Sequence, residues 1–231
     1  MSYLKFENIG IKAIAGVVPK RQIDNRNYTH FMSEKDVKTV IEMTGIAERR
    51  FADENTCSSD LCIAAAESLF SETRIDKNEI DVLIFVSQTP DYRTPPSSMM
   101  IADKLGLGKE IGAFDINLGC SGYIYGLQVA FLYASQPEIR KVLLLNGETK
   151  SKSYSKKDKA TSLLFGDAGT ATLIEKSEQK NPTIMSMHSN GAGYKYILMP
   201  AGGYRYPSSE ESLQEKIYPD GSIRTDEQGS M

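Results

Sequence analysis

The stretch FDINLGCSGYIYGLQVA, Phe114 to Ala130, sets a thiol between two hydrophobic periods. Phe114 and Ile116 alternate with Asp115 and Asn117, the pattern of a strand's end, whereas Ile124, Leu127, Val129, Ala130 and Phe131 recur at helical spacing. Cys120 stands in the turn between them, Gly119-Cys120-Ser121-Gly122. A cysteine attacks as the thiolate, and the unpaired N–H groups that open a helix favour negative charge beside them. The same donors can hold the oxyanion that forms when sulfur adds to a carbonyl. Glycines on both sides let the chain turn sharply and keep the sulfur uncrowded. The apolar helix that follows predicts a dry interior for the site. The residues alone also allow a second reading, a small cysteine packed inertly at a tight turn.

Two periods alternate along the chain that must position this thiol. IGIKAIAGVVP, from Ile9, reads as a strand. SEKDVKTVIEMTG reads as a helix with Ser33 as cap, Asp36 as the returning acid and Gly45 just past its end. CSSDLCIAAAESLFSE is an alanine-rich helix capped by Ser58 or Asp60, and SSMMIADKLGL a short one. IDVLIFVSQTP and RKVLLLNGE are continuous apolar runs, the mark of strands buried on both faces. SLLFGDAGTATLIEK reads as strand, glycine turn and strand; PTIMSMHSNG and YKYILMP add two more strands. The alternation predicts an α/β fold, a mainly parallel sheet covered by helices. Residues 201–231 show no strong period and are expected to form a loop region or a frayed end.

Composition narrows the function classes. The chain has 231 residues, 40% hydrophobic and 25% charged, with a net charge of −3, which gives no general reason to expect nucleic-acid or membrane binding. No apolar run is long enough to span a bilayer, and MSYLKFENIG lacks a signal peptide's apolar core. Three cysteines do not make a disulfide framework, so a reducing cytoplasm is expected. Cys57 and Cys62, spaced C-x-x-x-x-C, lack the further ligands zinc needs and read as core residues.

DINLGCSGYIYGLQVA resembles the nucleophile motif of β-ketoacyl-acyl carrier protein synthase III, of the thiolase superfamily. MTGIAERR (Met43–Arg50), DVLIFVSQTPDYRTPPSS (Asp81–Ser98) and LLFGDAGTATLIE (Leu163–Glu175) agree with that family in order and spacing, and the likeness runs to about Gly203. The resemblance implies that Cys120 accepts an acyl group from a CoA or acyl carrier protein thioester, then condenses it with malonyl-acyl carrier protein in fatty acid biosynthesis. It implies a thiolase-like αβαβα layered fold, a homodimer and no metal or redox cofactor, with CoA or phosphopantetheine thioester as substrate. On this likeness residues 1–176 are the N-terminal half with the nucleophile, and 177–231 begin the connection to a second half.

The departures shape the expectation. The family's condensation uses a histidine and an asparagine, in stretches resembling PHQAN and GNTSA that these residues do not contain. Nor do they contain its C-terminal glycine-rich oxyanion loop. His30 and His188 fall in parts of the pattern that are not catalytic. Thr39 and Met43 replace a tryptophan and an arginine that many members use on CoA, which turns the expectation from free acetyl-CoA toward a carrier-bound or unusual donor. Thr94 aligns with a tunnel phenylalanine and would leave room for a longer acyl chain. Arg49 or Arg50 is expected near the tunnel mouth, the alternative being a structural salt bridge. Lys152 falls where the family has an arginine near the CoA phosphates. It belongs to KSKSYSKKDK, whose five lysines against one acid could steer an acidic carrier protein or simply form a solvated loop. FGDAGTATL reads as scaffolding. Beside fatty acid synthesis stand a polyketide-type or other secondary acyl product, and a non-catalytic partner that binds an acyl carrier protein.

Overall fold

The computed structural model describes residues 2–28, 31–178 and 181–228, so His30 lies outside the described residues. In chain order the strands are β1 (Ser2–Phe6), β2 (Ile9–Val17), β3 (Arg21–Asp24), β4 (Glu48–Phe51), β5 (Ile80–Val86), β6 (Gly112–Ile116), β7 (Lys141–Thr149), β8 (Asp167–Lys176), β9 (Thr183–Met187), β10 (Lys216–Ile217) and β11 (Ile223–Arg224). The α-helices are α1 (Glu34–Thr44), α2 (Ser58–Thr73), α3 (Ser97–Lys104) and α4 (Gly122–Ala134). They divide into two units: residues 1–19, 53–148 and 168–188 form the first, and 20–52, 149–167 and 189–231 the second. Among the described residues no helix is long and apolar enough to cross a membrane.

The first unit is a helix–sheet–helix sandwich built on a five-stranded sheet in the order β2-β8-β7-β5-β6. β5 runs parallel to both its neighbours, β6 and β7, and β2 pairs antiparallel with β8. Successive residues of a strand point to opposite faces, and the apolar run of β5 serves both. Leu83 and Phe85 join Leu143, Leu145 and Leu173 against Ala65, Leu69 and Phe70 of α2 and Ile101 of α3. Val82, Ile84 and Val86 join Val142, Leu144 and Ile174 against Leu127, Ala130, Phe131 and Ala134 of α4. Each large side chain buried this way contributes about 1.5–3 kcal/mol. That is why the runs Val82–Val86 of β5 and Val142–Leu145 of β7 carry no polar face.

Capping follows local chemistry. Ser33 Oγ accepts from the Asp36 N–H at 3.2 Å to open α1, and Gly45 closes it at φ 72°. α2 is capped one residue earlier than expected, at Cys57, whose N–H donates to Asp60 Oδ2 at 2.9 Å. α3 opens at Pro96, which has no polar side chain to cap it. Asp115 of β6 supplies the acceptors instead, taking the Ser97 and Ser98 N–H groups at 2.7 and 2.9 Å.

The second unit holds the antiparallel pair β3–β4, α1, the lysine-rich segment and the small hairpin β10–β11. Two readings of the sequence are corrected. SLLF is a turn rather than a strand, because its backbone bonds locally: Ser162 N–H to the Asp158 carbonyl and Leu164 N–H to that of Thr161. YKYILMP is no strand either; Asn190 takes the Ala192 N–H at 3.1 Å and starts a 3-10 helix over Gly191–Tyr196. Residues 201–228 are mostly loops and turns, as expected, with the short hairpin β10–β11 among them; Arg224 Nη1 lies 2.8 Å from the buried Asp158 carboxylate and its guanidinium stacks on Tyr218 at 3.7 Å. Pairing of this kind leaves no hydrophobic period to read.

Candidate active site

β6 ends at Ile116 and α4 begins at Gly122, so Cys120 occupies the strand-to-helix turn expected of it. The turn is closed by the Gly122 N–H donating to the Gly119 carbonyl at 2.7 Å. Neither flanking glycine adopts a positive φ; what each provides is space. A Cβ on Gly119 would lie 2.7 Å from Gln88 Oε1, and one on Gly122 would lie 2.7 Å from Val86 Cγ1. One turn further, a Cβ on Gly126 would meet Val86 Cγ2 and Leu144 Cδ1, each at 2.8 Å. The turn and the first turns of the helix therefore sit hard against the end of β5. The expected dry interior is corrected: Cys120 is a free, exposed thiol and Ser121 beside it is exposed too. α4 buries Gly122, but its large apolar side chains are buried only downstream, at Leu127 and Phe131, and its residue Ile124 is itself 48% exposed.

A polar cluster that the sequence reading passed over supports the turn. Glu148, near the end of β7, accepts from the Gln88 N–H and from Thr89 Oγ1, each at 2.8 Å. Ser58 Oγ donates to the Thr89 carbonyl at 2.7 Å, and the Ser87 N–H to the Ile116 carbonyl at 3.2 Å. The available signal was the abrupt change from an apolar run to Ser87-Gln88-Thr89. Of the other cysteines, Cys62 is fully buried and burial pushes its thiol up to about 12, while Cys57 is only half-buried, at a helix end rather than in the core.

Thr94 lies in the same unit as Cys120, exposed on the segment between β5 and α3 and joined to Pro95 by a cis peptide bond. Arg49 and Lys152 belong to the second unit. Arg49, expected at a tunnel mouth, is 5% exposed and held within the protein. Its guanidinium donates from Nε to Asn25 Oδ1 at 2.7 Å and from Nη1 to the Tyr154 hydroxyl and the Phe165 carbonyl, both at 2.9 Å. It also lies 4.9 Å from the centre of the Phe51 ring. A buried guanidinium demands such partners. Burial is also the main reason that the Tyr154 hydroxyl is pushed up to about 12. Arg50 is half-buried and donates to the Lys20 carbonyl at 3.0 Å.

Lys152 is exposed, in the 3-10 turn Lys150–Lys152. Within the same segment Lys157 pairs with Glu215 at 2.7 Å, so part of the loop's positive charge is neutralised. His188 is exposed, with a ring nitrogen 2.9 Å from Ser186 Oγ. In the FGDAG block the Asp167 carboxylate takes the Ala52 and Ser151 N–H groups at 2.7 and 2.9 Å. A Cβ on Gly169 would lie 2.4 Å from the Leu61 carbonyl carbon, a backbone contact only glycine permits. These residues are scaffolding.

The family model of 3-oxoacyl-[acyl-carrier-protein] synthase III matches residues 114–193, a span that opens on β6 and includes Cys120. The chain is 32% identical over 203 residues to the β-ketoacyl-[acyl-carrier-protein] synthase III of Syntrophomonas wolfei subsp. wolfei, covering 87% of this chain and 60% of that protein. A putative 3-oxoacyl-[acyl-carrier-protein] synthase 3 of Campylobacter jejuni is 34% identical, with 94% and 65% covered. The chain thus spans about three-fifths of the length of such curated relatives. A crystal structure of a 3-oxoacyl-(acyl-carrier-protein) synthase III superposes with a TM-score of 0.88 at 34% identity, over 97% of this chain and 67% of that one. A 3-oxoacyl-(acyl-carrier protein) synthase from Burkholderia xenovorans superposes at 0.89, also at 34% identity, over 100% and 64%. The thiolase-like layered fold is that of these structures, and the chain belongs to the 3-oxoacyl-[acyl-carrier-protein] synthase III family.

Proposed function

We propose that Cys120 is the acyl-accepting nucleophile of a β-ketoacyl-acyl carrier protein synthase III-like condensing enzyme. One observation carries the reading: a free thiol stands exposed at the amino end of α4, in a turn that Val86 and Gln88 hold from beneath. The sulfur, as thiolate, adds to the carbonyl of a CoA or phosphopantetheine thioester, and N–H groups opening the helix steady the oxyanion. The carbon–sulfur bond to the donor then breaks and the departing thiolate takes up a proton, leaving the acyl group on Cys120. The thioester is a substrate; no resident metal or cofactor enters this step.

For the whole protein the reading extends to decarboxylative condensation with malonyl-acyl carrier protein in fatty acid biosynthesis, in the cytoplasm and as a homodimer. Exposed Lys152 supports approach of an acidic carrier protein, and the small, exposed Thr94 is compatible with a longer acyl chain. Arg49 has no place in thioester binding on this reading, because its partners lie within the protein.

The test is intact-mass analysis after incubation with acetyl-CoA and with longer acyl-CoA and acyl-carrier-protein thioesters. An acyl mass that maps to Cys120 and disappears in Cys120→Ala is expected. No adduct with any donor would favour a non-catalytic partner that binds the carrier protein.

A further inference from the structure

We propose that Glu148 and Gln88 are positioning residues for Cys120: the Glu148 carboxylate clamps the segment Ser87–Thr89, which lays the Gln88 carboxamide on Gly119. The inference rests on the reading of Cys120 as the acyl acceptor. β7, β5 and β6 are adjacent and parallel, so their carboxyl ends lie on one side of the sheet. Glu148 comes from the first of these ends, Gln88 follows the second and Gly119 follows the third. The clamp therefore spans the sheet at the level of the turn.

Both carboxylate oxygens are used, one by the Gln88 N–H and one by Thr89 Oγ1, each at 2.8 Å. Hydrogen bonds to an ionised acceptor are the stronger kind. They fix the backbone of residue 88 and so the origin of its side chain. The whole carboxamide then covers Gly119: a Cβ there would lie 2.7 Å from Oε1, 3.0 Å from Cδ and 3.2 Å from Nε2. On the other side of the thiol Val86 packs against Gly122, so the turn is held at both glycines. With the clamp gone, the turn keeps the Val86 contact at Gly122 and the bond from the Gly122 N–H to the Gly119 carbonyl but loses its hold at Gly119. A misplacement of about 1 Å in a reacting group costs on the order of a hundredfold in rate.

The test uses the full chain with Glu148→Ala, Glu148→Gln and Gln88→Ala, and two readouts. Hydrogen–deuterium exchange at the Gly122 amide reports the turn without any acyl donor. Single-turnover acylation of Cys120 reports its aim, as a maximal rate and a half-saturating donor concentration. Glu148→Ala and Gln88→Ala should each speed Gly122 exchange at least about fivefold and lower the maximal acylation rate roughly tenfold, with half-saturation unchanged. Glu148→Gln keeps an acceptor for the Gln88 N–H and should restore most of both. Should Glu148→Ala not fold, Gln88→Ala carries the test, since its side chain is exposed. Gly119→Ala should slow acylation in the parent and add nothing in Gln88→Ala, where the obstructing carboxamide is gone. Unchanged Gly122 exchange in the folded variants overturns the clamp, and faster exchange with an undiminished maximal rate overturns the positioning role. A parent chain that takes no acyl group from any donor sinks the Cys120 reading instead, while exchange still decides the clamp.

Discussion

Asn25→Ala decides whether Arg49 is a structural residue or a free cation. Asn25 is fully buried and its side chain makes three hydrogen bonds: Nδ2 donates to the Ile46 carbonyl at 2.8 Å and to the Leu163 carbonyl at 3.0 Å, and Oδ1 accepts from Arg49 Nε at 2.7 Å. The two amide–carbonyl bonds are worth about 1 kcal/mol each and the guanidinium bond about 1.5–3 kcal/mol, a gross loss of roughly 4 kcal/mol. The alanine also leaves a buried charge short of a partner, which places the expected loss at about 3–5 kcal/mol. With a urea slope near the upper end of roughly 1–3 kcal/mol per molar, the midpoint followed by far-ultraviolet circular dichroism should fall by about 1–1.7 M. Arg50→Ala, which removes a single exposed contact, should move it little. A midpoint for Asn25→Ala within about 0.3 M of the parent would refute the reasoning, returning Arg49 to the pool of possible thioester ligands.

Gly126→Ala replaces glycine by the best helix former, a gain of about 1 kcal/mol in an exposed helix. Here the new methyl lies 2.8 Å from both Val86 Cγ2 and Leu144 Cδ1, so overpacking of about 1–3 kcal/mol should outweigh it. Adding Val86→Ala to Gly126→Ala should recover part of the loss in a thermal melt; purely additive losses would contradict the close approach. Alkali should destabilise the fold. Burial raises the Cys62 thiol from 9.0 and the Tyr154 hydroxyl from 10.0, each to about 12. The folded chain thus holds both protons more tightly than the unfolded one. The stability they contribute is complete below about pH 9 and is lost as the pH climbs toward 12. Urea midpoints at pH 8, 9.5 and 11 should decline, and a flat series would argue against those buried sites.

The doubly buried strands were legible because packing on both faces leaves its trace in composition, as in Ile80–Val86 and Lys141–Thr149. α1 was legible from Ser33 and Gly45, which cap its two ends, while Asp36 accepts from the Ser33 hydroxyl rather than acting as the expected returning acid. The position of Cys120 followed from the change of period at Gly119. Its exposure did not, because periodicity shows that α4 has an apolar face but not where along the helix that face begins. The two glycines invited an argument from backbone freedom, whereas the structure uses them for the approach of Val86 and Gln88, contacts from the end of β5 and the segment after it, more than 30 residues away in sequence. Glu148, Asp115 and the Arg49 network escaped for the same reason: each pairs with groups remote in sequence, and no local pattern records such pairing.

The most direct measurement of the central claim is the amount of free CoA or carrier thiol released per chain in a single turnover with an acyl thioester, quantified by chromatography. Acyl acceptance at Cys120 predicts close to one equivalent, released in step with protection of Cys120 from iodoacetamide and absent in Cys120→Ser. Release that persists in Cys120→Ser, or Cys120 that remains fully alkylatable after release, would contradict it.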